Sequence, residues 1–228
     1  MVSSPQDCRT HGSLAAWLPS SPSCSSGSRC FLVTFAGAPK TRAFRGSASM
    51  PRVVITGGPG VGKTTLLAEL GARGYATVAE SARAIISERR AIGQTPRPEP
   101  VAFAREILRR DTAKYHANPG ESGFVFFDRG VIEALGMLHA VAPLSPSERE
   151  HALGAYPFHS PVFILPPWSA IYTTDAERDH SFPWVEHVHS ELVRWYRSCG
   201  CALCEVPRLP VGPRAEFVLQ SLAHDHFA

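Results

Sequence analysis

Four glycines, a proline and one lysine stand between an apolar run and a helical one in "RVVITGGPGVGKTTLLAEL", Arg52 to Leu70. A tight turn needs one or two such residues, so this many implies that the backbone itself must come close to something. Gly57, Gly58, Pro59, Gly60, Val61, Gly62, Lys63 and Thr64 fit G-x-x-x-x-G-K-[ST] at every fixed position, and Thr65 follows. Such a loop turns its amide N–H groups onto a phosphate chain, and the next helix adds the positive end of its dipole. Lys63 then reaches the β- and γ-phosphates, and the Thr64 hydroxyl ligates Mg²⁺.

A second group of chemistry-bearing residues lies at the ends of other apolar runs. Phe124-Val-Phe-Phe127 followed by Asp128 is the Walker B pattern, whose carboxylate holds Mg²⁺, here through water. Arg129 follows where motor ATPases carry a glutamate. A guanidinium there is no base, but it can hold a substrate or a transferring phosphoryl group. Glu80, after the run Gly74–Glu80, has two readings. It accepts a proton from, or binds, a substrate hydroxyl; or it is an exposed carboxylate favoured by a helix N-terminus. Arg83 is either an acceptor contact or a surface arginine. The long polar stretch Pro167–Trp184 occupies the place of a lid, with Arg178 its single Lys or Arg. A lid arginine would stabilise charge developing on the transferring group.

The elements that must position these groups can be read from periodicity. Val53–Thr56 is short and β-branched, as a buried parallel strand should be, and Leu66, Leu67 and Leu70 recur at helical spacing. Further strands are expected at Gly74–Glu80, Gly123–Gly130, Pro161–Pro167 and Cys201–Pro207. Helices are expected from Ser81 as N-cap, over Val101–Tyr115, Val131–Val141 and Pro146–Leu153, from His187 to Cys199, and over Ala215–Ala223. Five strands alternating with helices predict an α/β, three-layer fold with a parallel sheet, and ligands at the carboxyl ends of its strands.

Composition sets the boundaries. No apolar run approaches the ~20 residues that span a bilayer. Residues 1–49 hold eleven serines and one acid, Asp7, against Arg9, Arg29, Lys40, Arg42 and Arg45, a net +4. The whole chain of 228 residues carries +3, so the body carries −1 and offers no electrostatic case for nucleic acid. The leader reads as a transit-type segment, a disordered tail, or sequence upstream of a natural start at Met50; the last is favoured, with 50–228 forming one domain. Cys201-Ala-Leu-Cys204 has C-x₂-C spacing without a second pair, and core packing with reduced thiols in a cytoplasmic setting is the expectation. His187-x-His189 and His224-x-His226 do not share a helical face, so metal ligation there is not expected.

The stretches "ITGGPGVGKTTLLAELGARGY", "VAESARAII", "FFDRG" and "ILPPWSAIYTTDAER" resemble the NadR/TRPL-translocation-defect class of AAA-like P-loop domains. The resemblance covers about residues 52–220, and the phosphate loop is its most specific part. It implies nucleotide binding and a kinase-like fold. The function expected is transfer of the γ-phosphate of Mg-ATP to a hydroxyl of a small metabolite. The alternative is an ATP- or GTP-dependent binding switch without such an acceptor. A Ras-like GTPase would need N-K-x-D, whereas the sole asparagine is Asn118, before Pro119.

Overall fold

The computed structural model describes residues 51–119, 123–172 and 181–225. Five strands are β1 (Arg52–Gly57), β2 (Ala76–Val78), β3 (Val125–Asp128), β4 (Val162–Leu165) and β5 (Leu203–Glu205). They alternate with α1 (Lys63–Ala72), α2 (Ser81–Ala91), α3 (Pro100–Ala117), α4 (Val131–Val141), α5 (Pro146–Ala155), α6 (Phe182–Ser198) and α7 (Val211–Asp225). All strand pairs are parallel and the order is β2-β3-β1-β4-β5, so helices cover both faces of the sheet.

Alternation along β1 divides the core in two. Val53 and Ile55 face one layer with Leu66, Leu67 and Leu70 of α1 and Val218 and Leu222 of α7. Val54 faces the other, with Val131 and Leu135 of α4 and Leu192 and Tyr196 of α6. The α3–α4 pair adds a third cluster around Phe103, Ile107 and Met137. At the centre of the sheet β1 pairs directly with β3, and Ile55 stands opposite Asp128. The acid therefore lies two residues below the start of the glycine loop.

Several element boundaries differ from the sequence expectation. The second strand is confined to Ala76–Val78, an edge strand with Ala76 and Thr77 exposed, and the interior strands β3 and β4 are likewise shorter than the runs Gly123–Gly130 and Pro161–Pro167. Helix α2 is capped by Glu80, not Ser81; the Ser81 hydroxyl instead donates to the Asp111 carboxylate on α3. The last strand is also an edge. Leu203 and Cys204 are half-buried and pack against the two core clusters, as do the half-buried free thiols Cys199 and Cys201. Partial burial still pushes the Cys201 thiol up to about 11, which keeps it protonated. Helices α6 and α7 begin five and four residues earlier than periodicity suggested, at Phe182 and Val211. Pro183 in the first turn of α6 needs no N–H partner there. Among the described residues no helix is long and apolar enough to cross a membrane. Of the stretch Pro167–Trp184 expected as a lid, Phe182–Trp184 belong to α6, and residues 173–180 with Arg178 lie outside the described residues, as do residues 1–49.

Candidate active site

The carboxyl ends of β1 and β3 and the N-terminal ends of α1, α2 and α4 meet at one place. Gly60 and Gly62 hold φ of +74° and +86°, which a side chain rarely tolerates. The space is also taken: a Cβ on Gly60 would lie 2.7 Å from the Tyr172 ring, and one on Gly62 2.7 Å from an Arg214 nitrogen. The loop is thus clasped from outside, by Tyr172 after β4 and by Arg214 of α7. Arg214 donates to the Val61 carbonyl at 3.2 Å, and its guanidinium lies 5.7 Å from the Trp168 ring centroid.

Lys63 is buried, and its Nζ donates back to the loop carbonyls of Gly57 (2.9 Å) and Gly58 (2.7 Å). Burial, reinforced by the Arg129 charge, lowers its pKa to about 7, although Asp128 and Glu80 pull it upward. Thr64 and Thr65 are exposed at the opening of α1. Burial raises the Asp128 carboxyl above its ordinary range, against the pull of Lys63 and Arg129, and its Oδ1 is buried without a hydrogen bond.

Arg129 is the one described non-glycine residue with positive φ, at 70°. Its N–H donates to the Ile55 carbonyl at 3.0 Å, which fixes the chain reversal at the end of β3 and turns the side chain inward. The guanidinium is buried between two carboxylates. One Nη donates to Glu133 Oε1 of α4. The Nε faces Glu80 Oε1 at 3.3 Å, close enough to attract but not aligned as a hydrogen bond.

Glu80 therefore lies inside the site, with its side chain 10% exposed, and the reading of it as an exposed helix-end carboxylate is overturned. Burial pushes its pKa up, but Arg129, Lys63, Arg83 and Lys114 together outweigh that and hold it below the ordinary value. Arg83 is exposed one turn along α2.

Sequence reasoning passed over three residues of this neighbourhood. Glu133 is the sole acid in the apolar helix "VIEALGMLHAV", a pattern that flags a buried partner for Arg129 four residues earlier. Tyr196 hides in the apolar stripe of α6. Arg214 fell just before the expected start of the last helix.

A nucleoside-triphosphate-type phosphate loop on a parallel sheet, with an acid-bearing strand beside it, defines a P-loop domain of kinase-like fold. A family model described as an AAA domain (AAA_28) matches residues 52–214, and the chain belongs to that family. Among solved structures, NadR protein in complex with NR superposes with a TM-score of 0.52 at 19% identity, over 77% of this chain and 51% of that one. Deoxyadenosine kinase from M. mycoides with bound dCTP gives a TM-score of 0.49 at 14% identity, over 76% of this chain and 99% of that one. No curated protein matches the sequence.

Proposed function

We propose that the protein is a phosphotransferase that moves the γ-phosphate of Mg-ATP to a hydroxyl of a small metabolite. The observation that carries this reading is the meeting of Lys63, Asp128, Arg129 and Glu80 beside the glycine loop. The residue after Asp128, where a motor ATPase carries the glutamate that polarises water, is here a cation, and the buried acid Glu80 lies across from it.

The residues fit a magnesium nucleotide. Gly57 to Thr65 supply the cradle, and side chains on Gly60 or Gly62 would collide with what surrounds it. Asp128 presents a buried oxygen without a partner, and Thr64 an exposed hydroxyl, the oxygen ligands that Mg²⁺ takes. Bound there, the ion would neutralise charge on the phosphates. Lys63 would exchange its two loop carbonyls for phosphate oxygens, with its ammonium form favoured by their charge. Glu80 would accept the proton of the acceptor hydroxyl. Arg129 would hold the phosphoryl group in line, with Arg178 arriving from the lid segment to share the developing charge. Arg83, exposed beside Glu80, would touch the acceptor.

The test is ADP release from Mg-ATP across a panel of nucleosides, ribosides and vitamins, NR among them. One compound raising the rate well above that in water alone is the expected result. Tight nucleotide binding with no compound stimulating it would replace the kinase by a nucleotide-dependent switch.

A further inference from the structure

Arg129 has two carboxylates within reach, and they are not equivalent. Glu133 is 5% exposed as a residue and is itself held on every side. Its Oε1 receives the Arg129 Nη1, while its Oε2 accepts from Thr56 Oγ1 at 2.5 Å and from the Tyr196 hydroxyl at 3.3 Å. Glu80 has no such support. It caps α2 in position only, with no side-chain bond to the helix N–H groups, and its Oε1 is buried without a hydrogen bond. A guanidinium placed between a fixed acid and a free one takes its geometry from the fixed one.

The three residues around Glu133 come from different parts of the fold. Thr56 immediately precedes the first glycine of the phosphate loop. Arg129 follows β3 and, through Gly130, leads into α4, the helix that carries Glu133. Tyr196 lies on α6, is fully buried, and has its hydroxyl held protonated by burial. Locking one carboxylate to all three ties the Arg129 side chain to the phosphate loop through a single intervening group.

We propose that Glu133, held by Thr56 and Tyr196, is the positioning residue for Arg129: it keeps the guanidinium aimed at the transferring phosphoryl group and stops it from closing onto Glu80. This rests on the phosphotransferase reading. A fully formed Arg129–Glu80 bidentate pair would occupy both groups the reaction needs, one as phosphoryl clamp and the other as proton acceptor. Anchoring one Nη on Glu133 leaves the second Nη for phosphate and leaves Glu80 oxygens for the acceptor.

Glu133→Gln is the informative change. It removes the charge but keeps the size, and the amide oxygen can still face Arg129 while its NH₂ donates to the Thr56 and Tyr196 oxygens. The expected result is a fall in kcat of about 30-fold or more, with KM for ATP within about threefold and little change in Tm. In an Arg129→Lys background the same change should cost less than about threefold, since the residue it positions is already gone. Equal losses in both backgrounds, or no loss in the first, would overturn the proposal.

A readout independent of turnover comes from side-chain nitrogen NMR of the nucleotide-free protein. The Arg129 guanidinium, assigned by its disappearance in Arg129→Lys, should show hindered rotation that is lost in Glu133→Gln. Hindered rotation surviving in Glu133→Gln would mean that Glu80 alone holds the group, against the proposal. If no compound of the panel stimulates the unsubstituted protein, the kinase reading fails by itself, and the NMR result still decides whether Glu133 holds Arg129. Should Glu133→Gln not fold, Tyr196→Phe removes one of the two bonds that fix Glu133 Oε2. It should lower kcat about three- to tenfold, again only when Arg129 is present, and an unchanged kcat would count against the proposal.

Discussion

Lys63 shows how a single side chain can belong to the fold and to the ligand in turn. Burial first, and the Arg129 charge second, lower the pKa of this ammonium to about 7, and the two loop carbonyls do not offset them. Phosphate would hold it far better, because charge-assisted bonds replace neutral ones. Lys63→Ala should therefore weaken Mg-ATP binding by about 30-fold or more while moving Tm by only a few degrees. Calorimetric titration beside a thermal melt checks both halves, and unchanged affinity would remove the lysine from the site.

Asp111 offers a second test at this scale. Burial raises its carboxyl to about 6 from an ordinary 3.8, against the Ser81 hydrogen bond and the charge of Lys114, with Glu80 adding to the rise and Arg129 opposing it. An acid whose pKa rises on folding binds more protons in the native state between those two values. Its contribution to stability therefore falls as pH climbs from 3.8 to about 6, and the full cost remains above that. At about 1.4 kcal/mol per pH unit the cost is at most about 3 kcal/mol. Asp111→Asn should raise Tm at pH 8 and leave it nearly unchanged near pH 4. A melt series that shows the same shift at both pH values would reject the assignment.

At the scale of elements, the phosphate loop is shaped from both sides. Gly60 and Gly62 take left-handed φ, while Tyr172 and Arg214 fill the space where their side chains would go. Gly62→Ala combines an unfavourable φ with a clash against the buried Arg214. Gly74→Ala shares the positive φ of +92° but meets nothing within 4 Å. The second substitution should cost about 1–2 kcal/mol, the strain of a left-handed residue alone. The first should cost more and also weaken nucleotide binding by at least tenfold. Denaturant melts and nucleotide titrations of the pair separate strain from collision, and equal effects would show that Arg214 yields without consequence.

At the scale of the whole molecule, the described residues from 51 onward contain all five strands and both core layers. We propose that the domain is complete from Met50. A chain starting there should bind Mg-ATP within about threefold of the full 228 residues and melt at a similar temperature. A loss of tenfold or more would show that residues 1–49 contribute to the site. The order β2-β3-β1-β4-β5 also explains why the site is where it is. Pairing β1 with β3 brings the glycine loop and the Asp128–Arg129 turn together at one end of the sheet.

The sequence by itself determined the phosphate loop, the number of strands and their succession along the chain, and most of the helices, while the order of the strands in the sheet came only from the fold. Each of the former is a local pattern: consecutive glycines and a lysine, β-branched runs, or leucines at helical spacing. It also pointed to Asp128 and Arg129, because an acid closing an apolar strand is visible without knowing its neighbours. Strand ends are less legible: the expected runs Gly74–Glu80, Gly123–Gly130, Pro161–Pro167 and Cys201–Pro207 shrink to three or four residues each, at the edge and inside the sheet alike, because pairing with a neighbouring strand, which no local pattern records, sets where a strand ends. Only the tertiary structure decided between the two readings of Glu80, since burial against Arg129 depends on β3 lying between β1 and β2. The same is true of Glu133, whose three partners Thr56, Arg129 and Tyr196 are separated by up to 140 residues of chain. A carboxylate's role is set by the charges and hydroxyls that fold around it, and those distances close only when the sheet and its two helical layers are packed.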